Sequence, residues 1–380
     1  MKCTNFRLLS LPVVLITAVY IVFLALTLIN GYQTLVTWRR VNSIKQSNSK
    51  GDNIPFSIII CAHNELENLK SNLPSILSQN YSSFEVIVGL DRCTDGSNEY
   101  IQSLNDGNLT SVIIEETPAG WNSKKFALDK CIEKAKHEWL LLTDADCQPA
   151  SKNWIQKYAD NIHGQINLVL GVSPYRQTKQ LISIITEYET FITASSYLSA
   201  AANKSPYMGV GRNLAYTKSL YKSINGFEGI EHITGGDDDL LIQKMVAHAE
   251  PSINIHPESL TYSAPERTWK KYRTQKTRHL SVGKYYQEKF KQKLSTRAVL
   301  HSSLWLSFLY LIGFSDTIWR IIVPFALLVL IKGLFFKKIA TKIGTPLRLI
   351  WYPIMDLIYA VFLPLIAIRA MLERNIRWKK

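Results

Sequence analysis

The sequence predicts an α/β chain, a mostly parallel sheet flanked by helices, with transmembrane helices before and after it. Three observations carry this. Between Phe56 and Asp144, short unbroken apolar runs alternate with helical stretches at about 25–30 residues per unit, the rhythm of βαβ crossovers. Leu8–Ile29 carries no charge and is about long enough to cross a bilayer. A second apolar block closes the chain: Ala298–Phe314 and Ile318–Phe336 around Ser315-Asp316-Thr317, then Leu349–Ala370 with Pro353, Asp356 and Pro364 inside it.

The first apolar run is too long for a signal peptide, and Ala18–Asn30 offers no small-residue cleavage site, so a retained anchor is expected. The net charge is +14, from 44 Lys+Arg against 30 Asp+Glu. Its cations flank the apolar blocks: Arg39, Arg40 and Lys45, then Lys332, Lys337, Lys338, Lys342 and Arg348, and finally Arg374, Arg377, Lys379 and Lys380. That placement fits a cytoplasmic face of anionic lipid and argues against nucleic acid as partner. It puts the central domain in the cytoplasm, in a cell membrane of bacterial inner-membrane type. Three full C-terminal crossings would carry the basic tail outside, so the Pro-interrupted last segment is either a span or a re-entrant or interfacial piece. Five scattered cysteines show no zinc-type spacing and suit a reducing compartment.

After the polar linker Ser43–Asn53, Phe56–Cys61 reads as a buried strand leading into Ala62-His63-Asn64-Glu65. A helix over Glu67–Ser78 precedes a second strand, Phe84–Leu90, which ends in Asp91–Ser97. A helix over Asn98–Leu104, a strand at Ser111–Glu115 and a helix over Lys124–Lys136 follow. They feed the stretch Trp139–Gln148, in which an apolar run ends in Asp144 and Asp146. Alternation in an extended chain puts both carboxylates on one side, at the strand's carboxyl end, where open α/β sheets bind ligands. Two hard oxygen donors there suit Mg²⁺ or Mn²⁺ that also takes phosphate oxygens. The competing reading is a solvated turn whose Asp caps a helix beginning near Ser151. There is no GxxxxGK[ST] and no GxGxxG, so the usual phosphate-cradling and dinucleotide loops are absent.

With these motifs in order, the chain resembles the membrane-bound family 2 glycosyltransferases, inverting enzymes of GT-A fold that use nucleotide-diphosphate sugars. IIICAHNE is similar to their opening strand and loop, and Leu90–Asp95 to their nucleoside loop, with Leu90, Arg92 and Cys93 departing from it. The resemblance implies nucleotide-sugar contacts from Asn64, Glu65, Asp91, Lys124 and Asp144, and a metal at Asp144 and Asp146. Met208–Tyr216 resembles the Gly-x-Asn segment of the acceptor pocket, which points to Gly211, Arg212 and Asn213. Gln275–His279 resembles QxxRW with His279 in place of Trp, which implies that Gln275 and Arg278 grip diphosphate or acceptor; an amphipathic helix on lipid explains the same basic stretch. Asn375–Trp378 resembles a basic Trp tail of lipid-glycosylating relatives.

Thr234–Leu241, TGGDDDLL, sets three carboxylates at a helix N-terminus. Crowded like charges raise at least one pKa, which suits a general base for an inverting transfer. Asp237 and Asp238 match the family's acidic pair and Asp238 is the expected base, with Asp239 taking its place if the register shifts by one. The expected organisation is an anchor (1–35), a linker (36–54), a GT-A-like catalytic domain (55–265), basic interfacial helices (266–297) and a membrane region (298–380). The expected activity moves sugar from a UDP- or GDP-type donor to a hydroxyl of a lipid or lipid-linked acceptor, with membrane lipid as a further partner. A processive polysaccharide synthase and a non-catalytic sugar-nucleotide-binding membrane protein are the alternatives.

Overall fold

A computed structural model describes residues 11–47, 51 and 53–372. The C-terminal basic cluster, the Asn375–Trp378 segment and Cys3 lie outside these residues. The chain opens with a 32-residue helix, α1 (Leu11–Asn42). Then come β1 (Phe56–Ala62), α2 (Leu66–Leu77), β2 (Phe84–Asp91), α3 (Ser97–Ser103), β3 (Leu109–Ile114), α4 (Ser123–Lys134) and β4 (Trp139–Asp144), close to the expected borders. All seven residues of β1 and all eight of β2 are buried, as unbroken apolar runs require. Of the two carboxylates among them, Asp91 ends β2, and Glu85 within it is met by Ser57 Oγ at 2.6 Å and the Lys136 amide at 2.7 Å. Gly89 lets α4 press onto β2, since a Cβ there would sit 2.7 Å from Cys131 Sγ.

The second half completes the sheet with β6 (Leu168–Leu170), β7 (Leu214–Thr217) and β8 (Pro251–Ile253), while β5 (Gln148–Pro149) pairs with β9 (Thr261–Tyr262) in a small second sheet. The main sheet has seven strands in the order β3-β2-β1-β4-β7-β6-β8. Its pairings are parallel except that β7 runs against both neighbours. Register decides where the loops gather. Ala62 stands opposite Leu90 and Cys61 opposite Asp144, so the carboxyl ends of β1, β2 and β4 share one rim. Because β7 is antiparallel, with Leu142 opposite Leu214, the residues entering it reach the same rim.

The helices of the second half are α5 (Trp154–Ala159), α6 (Leu181–Ala202), α7 (Lys218–Ser223), α8 (Asp239–Met245) and α9 (Trp269–Val282). Asn153, not an Asp, occupies the N-cap of α5, so Asp144 and Asp146 are not that helix's caps. The chain continues into α10 (Glu288–Phe314), α11 (Ile318–Ile343) and α12 (Tyr352–Leu372). With α1 these make four helices long and apolar enough to cross a membrane, among the described residues. Pro364 leaves α12 continuous. Lys332 departs from the flanking-charge reading: it is buried, and its Nζ lies 3.2 Å from both carboxylate oxygens of Asp356 on α12.

Candidate active site

One cavity of about 1690 Å³ opens on the shared rim. Asp144 stands at its wall at the end of β4, and Asp146 is exposed to it two residues on. Lys124, in the first turn of α4, ties the rim together. Its Nζ is 3.1 Å from Asp144 Oδ1 and 2.9 Å from Asp237 Oδ2. Burial alone would lower the lysine's pKa, but the two carboxylates hold it well above the usual range. Confinement and the charge of Asp144 push the Asp146 carboxyl up, a repulsion that a cation would relieve. No group of three His, Cys, Asp or Glu side chains converges on a metal point among the described residues. Two carboxylates completed by phosphate oxygens and water still fit the way Mg²⁺ is held in phosphate sites.

The three successive aspartates have three different surroundings. Asp237 is held below the usual carboxylate range, because Lys124 outweighs the effect of burial. Asp238 is the N-cap of α8, and its carboxylate accepts from the amides of Gly211 at 3.0 Å and Asp239 at 2.8 Å. Burial and the charge of Asp237 raise its pKa. Asp239 accepts from Tyr286 Oη at 2.5 Å and the Leu240 amide at 2.7 Å; burial, then Asp238, push it up to about 7. Gly235 and Gly236, both at positive φ, turn the chain into this segment.

The other expected residues divide. Glu65 faces the cavity, with Oε2 accepting from Asn68 Nδ2 at 2.5 Å. Gly211 and Arg212 line it too. Arg212 lies over the Tyr175 ring at 4.3 Å and donates to Ser263 Oγ and the Ser173 carbonyl. Gln275, Arg278 and His279 of α9 close another wall, Gln275 lying 3.5 Å from Tyr175 Oη. Loss of water where the ring faces the cavity, then the cations Arg278 and Lys276, push the His279 pKa down.

Three do not line the cavity. Asn64, at φ 55°, uses Oδ1 to accept from the Thr94 amide at 2.8 Å. Asp91 is fully buried and held by the Arg92 fork at 2.8 and 3.0 Å. Asn213 is also fully buried. Its Oδ1 accepts from Trp154 Nε1 and Tyr158 Oη at 2.9 and 2.8 Å, and its Nδ2 donates to the carbonyls of Val172 and Ser259 at 2.8 and 2.9 Å. An amide has two donors and two lone pairs, so none is left for a ligand. Two residues went unseen in the sequence. Tyr286 reaches Asp239, and Lys125, fully buried, donates to the carbonyls of Ile230 and Ile233 at 2.5 and 3.0 Å, anchoring the loop before the aspartates. The Lys124-Lys125 pair held that signal, because helical neighbours point about 100° apart.

Residues 54–281 match the family described as "Glycosyltransferase like family 2". No curated protein matches the chain in sequence. Among solved structures the chain is similar to the mannosyltransferase PcManGT from Pyrobaculum calidifontis in complex with GDP-Man and Mn²⁺, with TM-score 0.56 and 17% identity over 93% of this chain and 98% of that one. It is also similar to S. aureus TarS 1-349 in complex with UDP-GlcNAc, with TM-score 0.42 and 16% identity over 84% of this chain and 89% of that one. The first likeness is one of fold, and with the seven-stranded mostly parallel sheet it bears out the expected GT-A-like architecture.

Proposed function

Because the chain belongs to the glycosyltransferase-like family 2, we propose that it transfers a sugar, with inversion, from a nucleotide-diphosphate donor of UDP or GDP type to a hydroxyl of a lipid or lipid-linked acceptor at the cytoplasmic membrane face. One observation supports this above the rest. The cavity that holds Asp144, Asp146 and Asp238 runs without interruption to side chains of the candidate membrane helices, including Asn30 on α1 and Tyr359 on α12. A donor site and a lipid-side acceptor site then share one space.

Asp144 and Asp146 would hold Mg²⁺ or Mn²⁺, which supplies charge stabilisation for the departing diphosphate. Lys124 fixes Asp144 and leaves its own positive charge beside that diphosphate. Asp238 takes the proton of the acceptor hydroxyl while its oxygen attacks the anomeric carbon from the face opposite the diphosphate. The new C–O bond forms as the bond to the diphosphate oxygen breaks; nucleoside diphosphate leaves with the bonding pair, and the proton rests on Asp238 until solvent accepts it. Gly211 N–H and Asp239 N–H aim the carboxylate. Membranes given radiolabelled nucleotide sugars should label the lipid extract. Asp238→Asn should lower turnover by about 10²–10⁴ with nucleotide binding retained. Label confined to polymer overturns the lipid acceptor, and equal negligible turnover of both proteins favours a non-catalytic binder.

A further inference from the structure

The cavity continues past the carboxylates into the helix bundle, where α10 contributes Arg297 and His301 to its wall. These are one turn apart and share a face of the helix. Ionisable side chains inside membrane helices are costly and turn toward partners or water-filled space. His301 has its partner: Nε2 lies 3.1 Å from Asp356, which also pairs with Lys332 and accepts from Trp305 Nε1 at 2.9 Å and from Tyr188 Oη. That carboxylate is saturated and its charge matched by Lys332.

Arg297 differs. Among the described residues its one hydrogen bond is a 3.5 Å donation to Ser196 Oγ, and no carboxylate stands within ion-pair distance. A half-buried guanidinium with unmatched charge, facing a cavity from the border between the basic and apolar parts of α10, selects an anion, and its fork fits phosphate oxygens. The link to the catalytic end is indirect. Ser196 Oγ also accepts from Tyr207 Oη at 3.0 Å, and the Tyr207 carbonyl accepts from Gln243 of α8, the helix that Asp238 caps. Among the described residues Arg297 thus reaches that helix through Ser196 and Tyr207 rather than by direct contact.

We propose that Arg297 binds the phosphate of a lipid-linked saccharide acceptor, leaving the hydrocarbon among the membrane helices and the saccharide hydroxyl toward Asp238. The direction of the saccharide rests on the proposed transfer, whereas the phosphate site stands without it. The test is binding of farnesyl phosphate and of farnesol to the full-length protein in maltoside detergent, by native mass spectrometry, with no sugar donor present. The phosphate ester should bind at least about tenfold tighter, a difference of about 1.4 kcal/mol. Arg297→Gln should erase that preference while keeping farnesol binding, and Arg297→Lys should keep part of it. Equal binding of the two lipids by the wild type, or an undiminished preference in Arg297→Gln, overturns the proposal. Displacement of farnesyl phosphate by equimolar inorganic phosphate would assign the site to free phosphate and overturn the lipid. Phosphate preference without any sugar transfer would sink the proposed function alone, and transfer without phosphate preference would sink this site alone.

Discussion

Replacing Asn213 by alanine separates a framework role from a ligand role. The side chain's four hydrogen bonds all lie inside the protein, so the substitution orphans Trp154 Nε1, Tyr158 Oη and the carbonyls of Val172 and Ser259 together. A buried polar group left without a partner costs about 1–3 kcal/mol; at the low end for each, the loss is about 4 kcal/mol. For a domain of this size that lowers Tm on the order of 10 °C. Asn213→Asp should do no better, because a carboxylate still accepts from Trp154 and Tyr158 but meets two carbonyls where Nδ2 donated. The assay is thermal unfolding of purified protein in detergent, read beside transfer below the transition. An Asn213→Ala protein with wild-type Tm and no transfer would refute this reasoning and return the residue to the acceptor pocket.

Asp239, facing Asp237, Asp238, Lys125, Tyr207 and Tyr286, has a carboxyl raised to about 7 by burial and by Asp238. Between the unfolded value near 4 and about 7 the folded state binds the extra proton, so stability from this group falls as pH rises through that window. Asp239→Asn should remove this slope from a Tm-against-pH curve, and an unchanged curve would show that Asp239 titrates normally. Lys124→Met leaves Asp144 and Asp237 without their shared cation, and should weaken nucleoside diphosphate binding in Mn²⁺ by roughly 10–100-fold, about 1.4–2.8 kcal/mol. Lys124→Arg should recover part of it; unchanged affinity in the methionine variant, by calorimetry, would remove Lys124 from the donor site.

The parallel half of the sheet was legible because its information is local: unbroken apolar runs, with acids where they end. The second half of the sheet, with its antiparallel β7, was not. β6 and β8 are three residues each and β7 is four, too short for any period to show. The placement of Asn213 was hidden for a related reason. A Gly-x-Asn segment does not say whether its amide faces the cavity or the core, and the deciding partners, Trp154 and Tyr158, lie on a helix more than fifty residues earlier. Lys332 reads as a flanking cation only because Lys337, Lys338 and Lys342 follow it; it lies inside the apolar run Ile318–Phe336. A lysine in one apolar segment and an aspartate in the next was the available signal for their pairing.

Three consecutive aspartates would be a poor base if they shared one environment, because their charges would raise all three pKa values together. The surroundings prevent that. Asp237 spends its charge on Lys124 and is held low. Asp239, buried under Tyr286, titrates near neutrality and so carries only part of a charge there. Asp238 is left between a neutralised neighbour and a half-neutral one, and it accepts from the backbone amides of Gly211 and Asp239, which cannot surrender a proton to it. Environments that drive adjacent carboxyls apart fit the role of base proposed for the middle residue of the three.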